Sequence, residues 1–243
     1  MRIISLNTWA GVMADPLLDF LAEHADVDVF CLQEVYSKAE GKAVPHPELD
    51  MKLDLFERIE ERLKDTHTGY FRPAYKDFYG QAMLVKHGVP VEEEGDAFIF
   101  FNEAPEVRGR HSRNLQYIRT RVNDSPVVIA NVHGLWNGVG KSDTAERLEQ
   151  GRRIHDFVKN RSEQTIVIGD FNLDPDTQSL AIAGEGMRNL IAEFGITSTR
   201  TSFYKKEGKM ANYAFVSSGI RVRDFKVLPD EVSDHAALCL EVE

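Results

Sequence analysis

The stretch Ile166-Val167-Ile168-Gly169-Asp170-Phe171-Asn172 leaves an apolar strand and delivers an Asp and an Asn two positions apart. Side chains alternate along a strand, so Asp170 and Asn172 project together from its end, where a ligand reaches them. An ionised carboxylate there accepts hydrogen bonds or holds a cation, and a neutral amide donates to an oxyanion. Taken alone, the pair is explained as well by an Asx-rich turn. Four further polar stretches shift that balance: Ser5-Leu6-Asn7-Thr8-Trp9, Leu32-Gln33-Glu34-Val35, Asn131-Val132-His133-Gly134 and Ser233-Asp234-His235. Singly, Glu34 reads as a surface carboxylate that ends a strand, and His133 as a hydrogen-bonded structural histidine. Five such sites, most of them closing an apolar run, read as parts of one constellation.

Those residues need elements to position them. Strands are expected over about 2–8, 27–33, 70–75, 81–86, 97–102, 115–122, 126–132, 165–168, 213–217, 222–228 and 236–242. A helix follows the first strand, with Asp15 as its N-cap, Pro16 at the first helical position, and Leu17, Leu18 and Leu21 on one face. Leu53, Phe56, Ile59 and Leu63 recur at helical spacing, giving a second helix over 53–63. Further helices are expected over 144–159 and 188–194, and the segment 36–50, with Gly41, Pro45 and Pro47, reads as a loop. Strand, polar residue, helix, strand, carboxylate occurs twice, in 3–34 and in 127–170. Two such halves fit a sheet-on-sheet core with helices outside it.

The chain has 243 residues, 42% hydrophobic and 28% charged, with 9 Pro and 17 Gly, which is ordinary for a globular protein. No composition break marks a boundary, so one catalytic domain over 1–243 is expected. The net charge of -10 disfavours sequence-independent wrapping of a polyanion and suits recruitment of a divalent cation. Cys31 and Cys239 lie in apolar runs without CxxC spacing, as small core residues do. The first strand starts at once, without a signal-peptide core, and no apolar run reaches membrane-spanning length, so the expected location is cytoplasmic.

In order and spacing the five polar sites resemble the endonuclease/exonuclease/phosphatase superfamily, also called deoxyribonuclease-I-like. The resemblance runs from Asn7 to His235, and Gly169-Asp170-Phe171-Asn172 and Ser233-Asp234-His235 are its most specific parts. It implies a four-layered α/β sandwich, two packed and mostly antiparallel β-sheets flanked by helices. It also implies hydrolysis of phosphate esters with Mg²⁺ or Mn²⁺. By this resemblance Glu34 is the principal metal ligand, with Asn7 beside it holding a metal-bound water or orienting Asp170. Asp170 positions or deprotonates the attacking water, and Asn172 holds that water or a phosphate oxygen. His235 stabilises the transition state or serves as base. Asp234 marks a second, weaker metal site, and His133 stands near the phosphate and leaving group.

One position departs from the family pattern. Relatives commonly carry an Asp-Tyr pair where this chain has Asn212-Tyr213. An Asn oxygen still accepts from an imidazole N–H, but it brings no charge to raise the histidine's pKa. Arg108, Arg110, His111 and Arg113 crowd one segment of an acidic chain, and Arg110 and Arg113 are candidate phosphate contacts, against a solvated loop as the plain alternative. Lys205, Lys206 and Lys209 form a second basic loop, for which a solvated role is expected. Trp136 walls a substrate pocket or fills the core. The expected function is a Mg²⁺- or Mn²⁺-dependent phosphodiesterase or phosphatase acting on a small or lipid-like phosphate ester. The alternatives are a DNA endonuclease or exonuclease of the same superfamily, with nucleic acid as partner, and a phosphate-ligand-binding protein with weakened catalysis.

Overall fold

Two six-stranded sheets form the centre of the molecule, as the computed structural model of residues 1–43, 46–102, 111–138 and 140–243 shows. The elements run β1 (Arg2–Asn7), α1 (Ala14–Glu23), β2 (Val29–Tyr36), α2 (Leu55–Leu63), β3 (His67–Tyr75), β4 (Tyr79–Lys86), β5 (Glu93–Phe100), β6 (Arg113–Val122), β7 (Ser125–His133) and α3 (Ala145–Lys159). They continue with β8 (Gln164–Asp170), α4 (Gln178–Ala183), β9 (Met187–Asn189), α5 (Leu190–Glu193), β10 (Asn212–Ser217), β11 (Val222–Val227) and β12 (Leu238–Val242). One sheet has the order β11-β12-β1-β2-β4-β3, the other β5-β6-β7-β8-β10-β9. Two strand pairs are parallel, β1 with β2 and β7 with β8; the other described pairs are antiparallel. This is the α/β sandwich expected from the sequence.

Alternation explains why the sheets stack and why helices cover them. Ile3, Val29, Cys31, Met83 and Val85 point into the core between the sheets, where they join Ile118, Ile129 and Ile168. Their neighbours Ile4, Phe30, Leu32, Ala82 and Leu84 point the other way, onto Leu17, Phe20 and Leu21 of α1 and Phe56, Ile59 and Leu63 of α2. A strand buried on both faces reads as a continuous apolar run. Each such side chain contributes roughly 1.5–3 kcal/mol on burial. Burial pushes the Cys31 thiol up, so this free cysteine is an inert part of the core.

The sequence reading misplaced some local features. Helix α1 begins at Ala14, with Met13 at the N-cap and no side-chain cap bond, so Asp15 is not the cap. It lies in the first turn, where a carboxylate still favours the positive end of the helix. Helix α2 starts at Leu55 rather than Leu53. The helix expected over 188–194 is the short strand β9 followed by the four-residue α5. The six-residue α4, capped by Thr177, carries too few apolar positions to show a helical period. Of the basic segment, Arg108 and Arg110 lie outside the described residues. No helix among the described residues is long and apolar enough to cross a membrane.

Candidate active site

The two parallel pairs end side by side. In the first sheet Asn7 stands opposite Gln33, and a β-bulge between Gln33 and Val35 turns Glu34 out of the ladder at φ 58°. Such a bulge re-aims one side chain without ending the strand. In the second sheet His133 stands opposite Asp170. Gly169 precedes it at φ 149°, and a Cβ there would lie 2.1 Å from the Val132 carbonyl oxygen, so only glycine fits. The sheets are tied together beneath these ends: Gln33 Nε2 donates to Asn131 Oδ1 at 2.6 Å, and Asn131 Nδ2 donates to the Leu32 carbonyl at 3.0 Å.

Asn7 joins the two acids. Its Nδ2 donates to Asp170 Oδ2 at 2.9 Å and to Glu34 Oε1 at 3.1 Å, while its Oδ1 accepts from the Trp9 N–H at 3.0 Å. It therefore enters the site through nitrogen, as a holder of carboxylates. Asp170, only 1% exposed, also accepts from the Asn172 N–H through Oδ1 at 2.8 Å. The Asx turn is thus real, and both of its residues line the cleft. Asn172 stands at φ 53°, and its Nδ2 donates to the Gly134 carbonyl at 3.2 Å.

The histidines complete the ring. His235 Nδ1 lies 2.7 Å from Asn212 Oδ1, and its Nε2 lies 3.6 Å from Asp170 Oδ2. Because the Asn212 oxygen only accepts, Nδ1 carries the proton and a neutral ring leaves Nε2 as an acceptor. Burial, with Arg200 and Lys141 nearby, holds His235 well below the usual imidazole range. Ser233 braces this end: its Oγ donates to the Asn7 carbonyl at 2.7 Å and accepts from the His235 N–H at 3.2 Å. His133 Nε2 lies 3.7 Å from Glu34 Oε1 and has no hydrogen-bond partner. Burial and Arg113 keep that ring neutral too. Arg113 is buried, donates through Nε to the Gly134 carbonyl at 3.0 Å, and leaves Nη1 without a partner.

All of this opens onto one cavity of about 820 Å³, lined by Glu34, Asp170, Asn172, Asp234, His235, Arg113 and Trp136 among others. Asn7, His133 and Asn212 lie directly behind that lining through the contacts above. Two sets of residues were not singled out by sequence. Tyr36, Tyr75, Phe78 and Tyr79 build an aromatic wall with His111, whose ring is 4.8 Å from Tyr75 and 5.3 Å from Tyr79. On another side Arg200 packs over Tyr204 at 3.9 Å and lies 3.5 Å from Asp234. Neither set follows a motif; its only sequence signal is local aromatic and basic density.

The electrostatics fit a cation. Among the described residues no three His, Cys, Asp or Glu side chains enclose a metal ion. Burial and the neighbouring Asp234, with Asp170 adding to them, nevertheless raise the Glu34 carboxyl to about 7. Burial likewise raises Asp234, against the pull of Arg200. Such crowded negative charge is relieved by a hard divalent ion, and Mg²⁺ takes few protein ligands and keeps several waters.

Among solved structures, a functionally unknown conserved protein from Enterococcus faecalis V583 aligns at TM-score 0.76 and 18% identity, over 100% of this chain and 99% of that one. The mannosyl-6-phosphatase Bt3783 of Bacteroides thetaiotaomicron aligns at 0.73 and 17%, over 100% and 99%. A humanized TDP2 of D. rerio aligns at 0.70 and 17%, over 100% and 98%. At these identities the likeness is one of fold. A curated relative, the extracellular serine/threonine protein kinase CeFam20 of Caenorhabditis elegans, is 28% identical over 148 residues, 58% of this chain. The chain spans only 28% of that protein's length, and the shared stretch carries no activity across. The model of the Endonuclease/Exonuclease/phosphatase family matches residues 4–235, from β1 to the histidine that faces Asp170, and the chain belongs to that family.

Proposed function

We propose that this chain is a divalent-metal-dependent phosphoric ester hydrolase, using Mg²⁺ or Mn²⁺, that directs water onto the phosphorus of a small or lipid-like ester. The observation that carries this reading is the Asn7 clamp. One amide nitrogen, just behind the lining, bonds carboxylates from both sheets, Glu34 and Asp170, in a cavity that Asp234 and His235 also line. The net charge of -10 supports a small substrate over a long polyanion.

When bound, the cation supplies Lewis-acid neutralisation of the phosphoryl oxygens and lowers the pKa of water. Glu34 is the residue that would hold it, with Asp234 beside. Asp170 has both oxygens fixed by donors, so its remaining lone pairs point in set directions and orient the attacking water. His235 Nε2, neutral and 3.6 Å from Asp170 Oδ2, accepts a proton from that water. Asn212 fixes the tautomer by accepting from Nδ1. The unpartnered Nη1 of Arg113 donates to a phosphoryl oxygen, where charge grows in the transition state. His133 Nε2, also unpartnered, serves the same phosphate from the Glu34 side.

Hydrolysis of bis(p-nitrophenyl) phosphate, followed with Mg²⁺, with Mn²⁺ and with EDTA, tests the reading. Turnover is expected with either metal and is lost in chelator and in Glu34→Gln. A protein that binds phosphate but never turns over the diester would be a binding module instead. Steeply salt-dependent binding of DNA with cleavage would favour a nuclease.

A further inference from the structure

The cavity has the opposite charge balance to the rest of the molecule. Its described lining holds Lys42, Lys76, Arg113, Arg200 and Lys206 against Glu34, Asp170 and Asp234, five cations to three acids. The chain as a whole has 29 Lys and Arg to 39 Asp and Glu. The acids group around the Asn7 clamp, and the cations are spread over the walls. Lys42 is paired with Asp77 at 2.6 Å, so it is already compensated. Lys206 makes no salt bridge among the described residues, and Asp234 is the carboxylate that feels its charge. Lys206 is exposed and lies over the Trp136 ring, 5.4 Å from its centre. Its neighbours behave differently: Lys205 and Lys209 are exposed and do not line the cavity, and Lys205 donates to the Ser202 carbonyl at 2.8 Å.

Arg200 stands on the same side. Its side chain is only 7% exposed and packed over Tyr204; Nη1 lies 3.5 Å from Asp234 Oδ2, while the buried Nε has no hydrogen-bond partner. A buried donor without an acceptor is costly unless a ligand satisfies it. The aromatic faces hold both cationic heads in place, which reduces the ordering cost of binding an anion. This group is therefore a wall with two cations set on aromatic rings, Lys206 exposed and Arg200 paired with Asp234 but short of an acceptor at Nε. It stands beside a phosphate site that Arg113, His133 and the Glu34 cation already serve.

We propose that the substrate carries a second anionic group beyond the scissile phosphate, and that Lys206 and Arg200, seated on Trp136 and Tyr204, receive it. The inference rests on the hydrolase reading for the position of the first phosphate. The ligand class is a small phosphate ester bearing a further phosphate or carboxylate. A cavity of about 820 Å³ is of the size that encloses such a molecule whole.

The test reads binding, not turnover. Both tryptophans of the chain, Trp9 and Trp136, line the cavity, so intrinsic fluorescence reports its occupancy. The probes are alkane-α,ω-bisphosphonates and the matching alkylphosphonates, whose C–P bonds resist hydrolysis, titrated at low salt with Mg²⁺ present. At least one bisphosphonate is expected to bind about tenfold more tightly than its monophosphonate, as a charge-assisted contact with an unscreened cation allows. Lys206→Glu reduces that preference to about twofold or less, whereas Lys205→Glu, the same charge change one residue away, retains it. Equal affinities in the wild-type protein, absent binding of both probes, or equal loss in the two variants would overturn the inference. The diester assay judges the hydrolase reading separately: turnover without a bisphosphonate preference defeats only the second subsite, and preference without turnover defeats only the reading.

Discussion

The unit β1–α1–β2 and the unit β7–α3–β8 solve the same problem in different ways. Each is a parallel strand pair that ends in polar groups at one rim, Asn7 with Glu34 and His133 with Asp170. In the second unit the acid is in register, nine-tenths and more buried, and bonded through both oxygens. In the first the acid sits on a bulge at φ 58°, its side chain 29% exposed, with one donor at 3.1 Å. The in-register acid is fixed in direction, which suits orienting a nucleophile. The bulged acid keeps free lone pairs and an approach from solvent, which suits a cation that brings its own waters. On the proposed function, backbone geometry divides two acids joined by one amide between two tasks.

Replacing each acid by its amide separates those tasks, and the effect is the largest expected. Glu34→Gln should lower turnover by about a thousandfold or more and also weaken Mg²⁺ binding, measured by calorimetry. Asp170→Asn should lower turnover by a similar factor, about a thousandfold, while Mg²⁺ affinity stays within about threefold of wild type. If both variants lost metal binding equally, the division between the units would be wrong.

The backbone that fixes the second unit is open to a stability test. In Gly169→Ala the new Cβ would meet the Val132 carbonyl oxygen at 2.1 Å. A cost of about 3 kcal/mol is expected, lowering the thermal midpoint by roughly 6–10 °C in a chain of this size. A midpoint within about 2 °C of wild type would show that this strand end tolerates displacement.

Most of this comparison was legible in the chain itself. The repeated pattern of strand, helix and strand, with polar groups at the ends, located both units, because burial on two faces leaves unbroken apolar runs such as Val29–Leu32 and Ile166–Ile168; their parallel pairing came only with the structure. Glu34 and Asp170 stood out as carboxylates ending those runs. The bulge at Glu34 did not, since nothing in Gln33-Glu34-Val35 departs from an ordinary strand end. Arg200 and Tyr204 were equally hidden, and Lys206 was read only as part of a solvated basic loop. They lie in an irregular segment, where no period relates one residue to the next and only tertiary packing brings a side chain over a ring. Helix α4 escaped because six residues are too few for periodicity to be read.

The partial burial of the first unit's acid, with its crowding against Asp234, has a pH signature. Without metal, Glu34 is raised to about 7 from an ordinary value near 4.3, so between those values the folded protein binds more protons than the unfolded chain. The contribution of this group to stability is therefore greatest below about 4 and is lost as pH rises through about 7. Allowing for partial exposure, the loss from this group is about 2 kcal/mol. Thermal midpoints in EDTA at pH 5.5 and pH 8 should fall more for wild type than for Glu34→Gln, and saturating Mg²⁺ should remove the difference. Parallel pH profiles for the two proteins would mean that Glu34 is ionised comfortably without a cation.

The smallest effect concerns the partner of the second unit's histidine. Asn212 Oδ1 accepts from His235 Nδ1 at 2.7 Å, while its Nδ2 is buried without a partner. The cations Arg200 and Lys141 add to burial in holding the ring neutral, and nothing charged behind Nδ1 opposes them. Asn212→Asp would place a carboxylate there, remove the orphaned donor and raise the ring's basicity. If His235 takes a proton from water, the rate should rise about three- to tenfold, since one pKa unit is worth about 1.4 kcal/mol and only part of it reaches the transition state. The acid limb of the pH–rate profile should also move upward, because a ring with a higher pKa is protonated, and so disabled as a base, at higher pH. An unmoved acid limb, with unchanged rate, would assign the Asn212 contact to holding the segment 233–235 ahead of β12 in place, and would leave proton acceptance to Asp170 alone.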